Sequence, residues 1–223
     1  MPHIVYLESV TGYGSAENNR RLEILRGYLR PGFTIELLNP PDGPKILEGR
    51  EDFEQAGRAA LAAVAEIGPD RCAAIIAAGA VDPALADLRA AAKVPVIGPG
   101  EASLFVARLV ASRLVILTVE PAVPAAQAMI KNVPARPDTV VVHMMKTTVR
   151  KILADLEAGR RFMREEAAAA VREHRADGIY LGSMTQGTLG IAQDLRTQIG
   201  IPVLDPLPIS VYAAQEAAST RAR

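Results

Sequence analysis

The sequence predicts an α/β protein made of two similar Rossmann-like lobes, each with a parallel sheet. Short runs rich in β-branched residues alternate with segments of helical length along the 223 residues. Such alternation is typical of parallel strands that helices cover on both faces. The two halves also repeat one order of elements: a strand, a turn of small residues, a helix and a short strand that contains proline. We therefore expect two related lobes with an active-site cleft between them.

Eight segments are predicted as strands, because each is a short apolar run bounded by glycine, proline or polar residues. In chain order they are residues 3–9, 33–39, 73–79, 94–98, 113–119, 139–145, 178–183 and 201–205. Ligands of parallel sheets bind where the strands end. The residues that follow these runs are therefore the first candidates for a binding site.

Three intervening segments have a helical pattern. Residues 52–68 repeat apolar side chains at helical spacing and end close to a Gly-Pro pair, a common helix stop. Residues 83–92 begin with Pro83, and proline suits the first turn of a helix. Residues 147–175 predict one helix or two, with Gly159 as the expected break.

The internal similarity also predicts the lobe boundaries. The segments "AAGAVDPAL" and "LGSMTQGTL" are strand-to-helix turns at matching places in the two halves. We expect the first lobe to comprise residues 1–98 plus 206–223 and the second lobe to comprise residues 99–205. Both turns would then line the cleft.

Composition and charge exclude several classes of protein. Lys plus Arg and Asp plus Glu number 25 each, so the net charge gives no reason to expect nucleic acid or an anionic membrane as partner. The most apolar run is interrupted by Arg108 and Arg113, so we expect no membrane segment. Cys72 is the one cysteine, which rules out an intramolecular disulfide and fits a reducing compartment. These features predict a cytoplasmic protein.

Backbone N–H groups at the two turns form the predicted anion site. Helix N-termini attract carboxylate and enolate oxygens. The residues expected to present such N–H groups are Gly79, Ala80, Val81, Ser183, Met184 and Thr185. The hydroxyls of Ser9, Thr11 and Thr118 lie near strand ends and would extend the site. This arrangement predicts a small acidic substrate, and Met184 is placed to line a pocket for an apolar substituent.

Four side chains are candidate catalytic groups. Glu8, Tyr13 and Glu120 are titratable and near strand ends, so each is a candidate acid or base, although each also fits a solvated or structural role. Ser183 is a candidate hydroxyl for ligand binding or catalysis, and its alternative role is to cap a helix. Gly79 either makes room for a substituent or meets a demand of the turn, which is a positive φ or a close backbone approach.

We expect neither a metal nor an organic cofactor. His143 is predicted either to approach the cleft with Lys146 or to be hydrogen-bonded within the structure, and His174 is predicted as a cation at a helix C-terminus. His3 lies at the far end of its strand. No histidine pair has the sequence spacing of metal ligands. The segments "TGYGS" and "GPGEA" lack the complete spacing of nucleotide-binding loops.

Residues 77–119 and 176–217 resemble the aspartate/glutamate/hydantoin racemase superfamily, closest to its hydantoin and allantoin racemase branch. The turn "VDP" and the segment "PVIGPGEA" are the more specific pieces, and residues 3–12 and 46–61 match more weakly. The resemblance implies two lobes with the active site between them. It also implies a homo-oligomer and a reaction without a cofactor.

The chemistry that the resemblance implies uses two cysteines. One thiolate removes a proton from the carbon next to a carbonyl, and a second thiol on the opposite face returns one. In this sequence Gly79 occupies the first position and Ser183 the second. Arylmalonate decarboxylase, a relative, also has glycine at the first position but keeps the second cysteine. Cys72 starts a predicted strand, roughly 20 Å of extended chain from Gly79, and is expected to be a core residue.

We therefore expect a cofactor-independent enzyme that acts at a carbon next to the carboxylate or amide of a small acid, without the cysteine pair. Its substrate would be a small carboxylate or a cyclic amide. Gly79, Ser183 and neighbouring N–H groups would hold this substrate. Glu8, Tyr13 or Glu120 would move the proton. Racemase-type isomerisation is the first hypothesis; a decarboxylase-like or other lyase reaction and a non-catalytic protein that binds small carboxylates are the alternatives.

Overall fold

The computed structural model describes residues 1–134 and 136–221. The chain divides into two compact units, Met1–Pro99 with Pro208–Arg223, and Gly100–Leu207. Each unit contains a four-stranded sheet in which all strand pairs are parallel. The predicted α/β fold with two similar sheets is therefore confirmed.

The first unit is built on strands β1 to β4, whose bounds are His3–Leu7, Thr34–Leu38, Ala74–Ala77 and Val96–Ile97. Their order in the sheet is β2-β1-β3-β4. Helices α1 to α3 connect these strands and span Ser15–Arg26, Arg50–Glu66 and Leu85–Ala91. The C-terminal helix, α10, spans Pro206–Arg221, and most of it belongs to this unit.

The register aligns the carboxyl ends of the two central strands of this unit. Leu7 of β1 pairs with Ala77 of β3 and with Leu38 of β2. Just beyond, the N–H of Glu8 donates to Leu38 O at 2.8 Å and the N–H of Ala78 donates to Leu7 O at 2.8 Å. The residues that follow β1 and β3 therefore lie side by side.

Apolar side chains from β1, β3, β4, α2 and α3 form the core beneath these strand ends. The fully buried members include Val5, Leu7, Val64, Ile67, Ile75, Leu88 and Val96. Burying one such side chain contributes about 1.5–3 kcal/mol to stability. The strand ends thus rest on a closely packed and rigid support.

The second unit repeats this plan with strands β5 to β8, whose bounds are Arg113–Val119, Thr139–Met145, Gly178–Leu181 and Val203–Leu204. Their order is β6-β5-β7-β8, the same pattern as in the first sheet. Helices α4 to α9 span Pro99–Val110, Val123–Asn132, Val149–Ala154, Leu156–His174, Met184–Thr188 and Ala192–Ile199. Leu117 of β5 pairs with Leu181 of β7 and with His143 of β6.

The segment 147–175 forms two helices, but the break falls at Asp155 and not at Gly159. Asp155 has a φ of −148°, and its carboxylate accepts a hydrogen bond from the N–H of Ala158 at 2.9 Å, so it caps α7. Gly159 lies inside α7, where a Cβ would be 3.2 Å from Cγ2 of Ile152 in α6. The glycine therefore lets the two helices approach closely.

None of the helices within residues 1–134 and 136–221 combines the length and the hydropathy that crossing a bilayer requires.

Candidate active site

A buried carboxyl group follows β1. Glu8 is 3% exposed, and its Oε1 lies 3.4 Å from Nη1 of Arg21, which is 2% exposed. Burial raises the pKa of the Glu8 carboxyl, and the attraction of the Arg21 guanidinium offsets this only in part. A carboxyl whose pKa is raised in this way can accept and return a proton nearer neutral pH than an exposed glutamate.

Arg21, on α1, holds further partners around Glu8. Its Nε donates to Oε1 of Glu17 at 2.8 Å, and its Cζ lies 3.9 Å from the centroid of the Tyr13 ring. Burial alone would lower the pKa of the Arg21 guanidinium, but the negative charge of Glu8 and the other neighbours raise it, so Arg21 stays charged. Arg21 was not predicted from the sequence, because an arginine on a polar helix carries no signal that it is buried.

Glu8 lines a pocket together with two other predicted residues, Ser9 and Gly79. Small alanine side chains of α2 and β3 form apolar walls. The cavity holds about 20 Å³, which suits one water molecule or one small group. The hydroxyl of Ser9 donates to the carbonyl of Ala78 and so ties the end of β1 to the residue after β3.

Gly79 is required by a close contact and not by a positive φ. It is absent from the glycines with positive φ in the described chain. A Cβ at this position would lie 2.6 Å from Cδ of Pro83 and 3.8 Å from Oγ of Ser9. The sequence predicted either a positive φ or a close backbone approach at Gly79. A close approach is observed, but the approaching group is the ring of Pro83 and not the backbone. The place that a side chain at Gly79 would take is therefore occupied by Pro83.

The turn after Gly79 is strained. The sequence predicted a helix that begins at Pro83, but no helix begins there. Asp82 and Ala84, on either side of Pro83, have φ values of 52° and 57°, in the left-handed region. Each such residue costs on the order of 1–3 kcal/mol. Helix α3 begins only at Leu85, because this left-handed backbone separates it from the strand.

The predicted N–H groups of the first turn consequently do not lie at a helix N-terminus. The N–H of Gly79 donates to the carbonyl of Ala77 at 2.7 Å. Ala80 and Val81 are buried, each 4% exposed. These residues precede the strained turn and not the helix, so the helix-terminus argument does not apply to them, and their binding of an anion stays a prediction.

The predicted hydroxyls Thr11 and Thr118 donate to main-chain carbonyls. Thr11 Oγ1 lies 3.2 Å from Gly43 O and also approaches the next carbonyl, so it anchors the loop after β2. Thr118 is fully buried, and its Oγ1 donates to Gly182 O at 3.1 Å. Both hydroxyls therefore stabilise strand ends, and their part in an anion site stays a prediction. Glu120, the third candidate acid or base, is exposed at the start of a short 3-10 turn after β5.

The turn of the second unit does open a helix where the sequence predicted one. Met184 and Thr185 are the first two residues of α8, and both are buried. Ser183, just before them, is half-buried and extended, with a φ of −150°. Its side chain makes no capping hydrogen bond to α8, so the alternative capping role is not observed. The first N–H groups of a helix lack intrahelical acceptors, which keeps this turn a candidate anion site.

Two buried polar side chains near this turn were missed by the sequence analysis. Gln186 is fully buried and donates from Nε2 to Leu117 O at 3.2 Å, while its Oε1 has no partner within the part of the chain that the structure describes. Asp205 is 3% exposed, its Oδ1 accepts from the N–H of Leu207 at 2.9 Å, and burial raises its pKa. Asp205 follows β8 as Glu8 follows β1, so its position after a strand was an available signal; nothing in the sequence distinguishes Gln186.

The histidines take no part in either strand-end cluster. His143 contacts α7 and not Lys146: its Nδ1 lies 3.2 Å from Nε2 of His174, and its Nε2 lies 3.3 Å from Oε2 of Glu166. Of the two roles predicted for His143, hydrogen-bonded structure is the one observed. His174 is the last residue of α7, as expected. His3 bonds Oγ1 of Thr34 at 2.8 Å.

Cys72 is a core residue, as predicted. It is 3% exposed, and burial raises the pKa of its thiol, which disfavours the reactive thiolate. The pairing of Ile4 with Ala74 sets Cys72 level with the start of β1. Six residues of strand then separate that level from Glu8, which is roughly 20 Å.

A model of the family described as Asp/Glu/Hydantoin racemase matches residues 19–214 of this chain. The chain belongs to the Asp/Glu/hydantoin racemase family. Among its relatives, the hydantoin racemase of Paenarthrobacter aurescens is 27% identical over 193 residues, which cover 82% of this chain and 78% of that protein. The similarity thus extends over most of both proteins.

Solved structures share the racemase-family fold. Allantoin racemase from Klebsiella pneumoniae superposes with a TM-score of 0.87 at 22% identity, over 99% of this chain and 89% of that chain. A variant of arylmalonate decarboxylase superposes with a TM-score of 0.71 at 15% identity, over 100% of this chain and 95% of that chain. This racemase-family member has one cysteine, and its two strand-end turns carry Gly79 and Ser183.

Proposed function

We propose that this chain is a cofactor-independent enzyme of the racemase family that uses a carboxylate in place of thiols. It would remove and return the proton at a carbon next to the carbonyl of a small cyclic amide or a small acid. Family membership supports the reaction class, and the names of the hydantoin and allantoin racemases support the substrate class. The observation that carries the proposal is the buried Glu8, which lines a pocket with Ser9 and Gly79. This pocket would admit one small group of the substrate, and the rest of the substrate would lie outside it.

The chemistry of Glu8 suits this role. The ionised carboxylate takes the proton from the carbon, and the electron pair of the broken C–H bond moves to the carbonyl oxygen as an enolate. Return of the proton by Glu8 to the same face re-forms the carbonyl with exchange but without inversion, whereas racemisation would need a proton delivered to the opposite face of the enolate, from solvent water or a second acid. Burial strengthens the carboxylate as a base by raising its pKa, and a general base of this kind contributes about 10²–10⁴-fold to a rate. Arg21 keeps the carboxylate oriented through the 3.4 Å contact.

We assign substrate binding, and not proton transfer, to Ser183. Its side chain makes no capping bond to α8 and is half-buried, so the hydroxyl can donate to an enolate or carboxylate oxygen. Met184 and Thr185 would add the N–H groups of the first helical turn. Glu120 is exposed and Tyr13 stacks on Arg21, so both are weaker candidates for the proton-transfer group than Glu8.

A lyase reaction is the alternative within the same chemistry. One buried acid would be enough to protonate an enediolate left by the loss of carbon dioxide, whereas racemisation needs a proton taken and one returned on opposite faces. The fold likeness to arylmalonate decarboxylase supports this alternative. Binding of small carboxylates without turnover is the second alternative, and the lack of a thiol at Gly79 and Ser183 favours it.

The proposal is tested with a panel of enantiopure 5-substituted hydantoins, allantoin, arylmalonates and amino acids in D2O. Proton NMR measures exchange of the α-hydrogen, polarimetry measures racemisation, and released carbon dioxide measures decarboxylation. We expect exchange with at least one cyclic amide or acid, and an unchanged rate in the Cys72→Ser variant. Folded protein that exchanges no substrate in the panel would overturn the enzymatic proposal, and carboxylate binding in a thermal-shift assay would then favour the binding protein. A rate that depends on Cys72 would overturn the thiol-independent mechanism.

A further inference from the structure

A cluster of metal-ligating side chains lies in the second unit and shares no residue with the proposed reaction. It joins β6, at the edge of its sheet, to the last turn of α7. Nδ1 of His143 lies 3.2 Å from Nε2 of His174. The carboxylate of Glu173 approaches both rings, with Oε2 at 3.8 Å from His143 Nδ1 and Oε1 at 3.8 Å from His174 Nε2. One ligand atom from each of the three residues lies within 4.8 Å of the other two.

These separations suit a tetrahedral metal ion. Zn²⁺ binds imidazole nitrogen and carboxylate oxygen at about 2.0–2.2 Å, so two ligand atoms on a tetrahedron are roughly 3.3 Å apart. The His143–His174 separation of 3.2 Å already agrees with this value. The two 3.8 Å contacts of Glu173 are made by different oxygens, so one oxygen must move closer to both nitrogens, a shift that rotation of the exposed side chain provides.

A second carboxylate supplies the outer contact that metal-bound histidines usually have. Nε2 of His143 lies 3.3 Å from Oε2 of Glu166. A ligating histidine almost always donates its other ring N–H to a carboxylate or carbonyl, which sets the tautomer. Glu166 therefore favours the proton on Nε2, and the lone pair of Nδ1 then faces His174 and Glu173.

The cluster is both ordered and accessible. The His143 side chain is 13% exposed and that of His174 is 23% exposed, so a strand and a helix restrict both rings. Glu173 is 64% exposed, which leaves a path from solution for an ion.

We propose that His143, His174 and Glu173 bind one divalent transition-metal ion, and that Glu166 positions His143 for this. Two imidazoles and one carboxylate suit Zn²⁺ or its transition-metal neighbours, whereas Ca²⁺ and Mg²⁺ prefer oxygen ligands. Three protein ligands leave a fourth position for water or an exchangeable ligand. The bound ion ties the edge strand β6 to α7 and stabilises the folded second unit.

Sequence spacing does not reveal this site, because 31 residues separate the two histidines. Only the packing of α7 against β6 brings them together. The site is independent of the proposed function, so each can be tested without the other.

The test is a titration of the full chain with Zn²⁺ alone by isothermal titration calorimetry, together with thermal melts with and without the ion. We expect one zinc per chain and a zinc-dependent rise in melting temperature. His143→Gln and His174→Gln should each weaken binding by more than about 100-fold, and Glu166→Ala by about 10–100-fold. His3→Gln is the matched control, because His3 is the remaining histidine and lies outside the cluster; it should bind zinc as the wild type does.

Circular dichroism shows whether each variant is folded. If a histidine variant does not fold, Glu173→Gln replaces it, because its exposed side chain contributes little to stability. The proposal is overturned if the wild-type chain takes up no zinc, if the folded histidine variants bind as tightly as His3→Gln, or if Glu173→Gln binds as tightly as the wild type. In those cases the cluster is a hydrogen-bonded link between β6 and α7 only.

Discussion

At the scale of single residues, Glu8 and Arg21 define the candidate site of the first unit. Glu8 could be named from the sequence because it follows a strand, and parallel sheets place functional groups there. Its partner could not, because only the folded chain brings an arginine of α1, 2% exposed, to within 3.4 Å of the Glu8 carboxylate. The same limit applies to the ring of Pro83, which occupies the space beside Gly79.

Because Glu8 and Arg21 form a buried pair, the stability that Arg21 contributes should depend on the charge of Glu8. Arg21→Met should lower the free energy of unfolding by about 3–5 kcal/mol, because it leaves a buried carboxylate without its cation. In a Glu8→Gln background the same change should cost clearly less, since the neutral amide needs no counter-charge. Chemical denaturation of the wild type, both single variants and the double variant measures the difference. Equal costs in both backgrounds would show that the two residues do not interact.

The contact at Gly79 predicts how the turn responds to a side chain. Gly79→Ala should destabilise the chain by about 1–3 kcal/mol, because the new Cβ overlaps the Pro83 ring. Gly68→Ala is the matched control, since a Cβ there has nothing within 4 Å. Denaturant unfolding compares the two variants. If Gly79→Ala costs no more than Gly68→Ala, the ring does not restrict this position, and a thiol could be placed there by substitution.

At the scale of elements, the strands were more predictable than the turns that join them to helices. Every predicted strand is present, and β5 and β6 have the expected bounds, because short apolar runs rich in β-branched residues are typical of strands in parallel sheets. The two turns that look alike in sequence differ in structure: Ser183 leads directly into α8, whereas the left-handed Asp82 and Ala84 separate Gly79 from α3. A left-handed φ at a non-glycine residue is held by the surrounding fold, so the local sequence does not indicate it.

Asp205, between β8 and α10, should make the stability of the fold depend on pH. Burial raises the pKa of Asp205 above its ordinary 3.8, so the folded state binds this proton more tightly than the unfolded chain. As pH falls from neutral through the raised pKa, Asp205 should therefore contribute increasing stability, and the increase ends near its ordinary value.

Denaturant unfolding between about pH 4 and pH 8 checks this sign. The stability of the wild type relative to Asp205→Asn should rise on acidification, because the variant cannot take up the proton. The same comparison for Asp42→Asn, at an exposed aspartate, serves as the control. A relative stability that falls on acidification would show that the charged form of Asp205 is the favoured one in the fold.

In the chain as a whole, the fold is the one that the family implies, whereas the side chains for the family's chemistry are not. The fold and the family membership cover nearly the entire chain, and the alternating pattern of strands and helices was enough to predict that architecture. The chemistry depends on a few side chains at strand ends, and there the chain has a glycine and a serine where the resemblance implies thiols. The sole thiol is buried in the core of the first unit, with its pKa raised. We therefore propose that a carboxylate transfers the proton.

Proton transfer by Glu8 is tested by the rate of α-hydrogen exchange in D2O, measured by proton NMR on the substrate that the panel identifies. Glu8→Gln is compared with Glu17→Gln, because both glutamates contact Arg21 but only Glu8 lines the pocket. We predict that Glu8→Gln loses about 10²–10⁴-fold in rate, while Glu17→Gln stays within a few-fold of the wild type. A folded Glu8→Gln protein that exchanges as fast as the wild type would show that Glu8 does not transfer the proton.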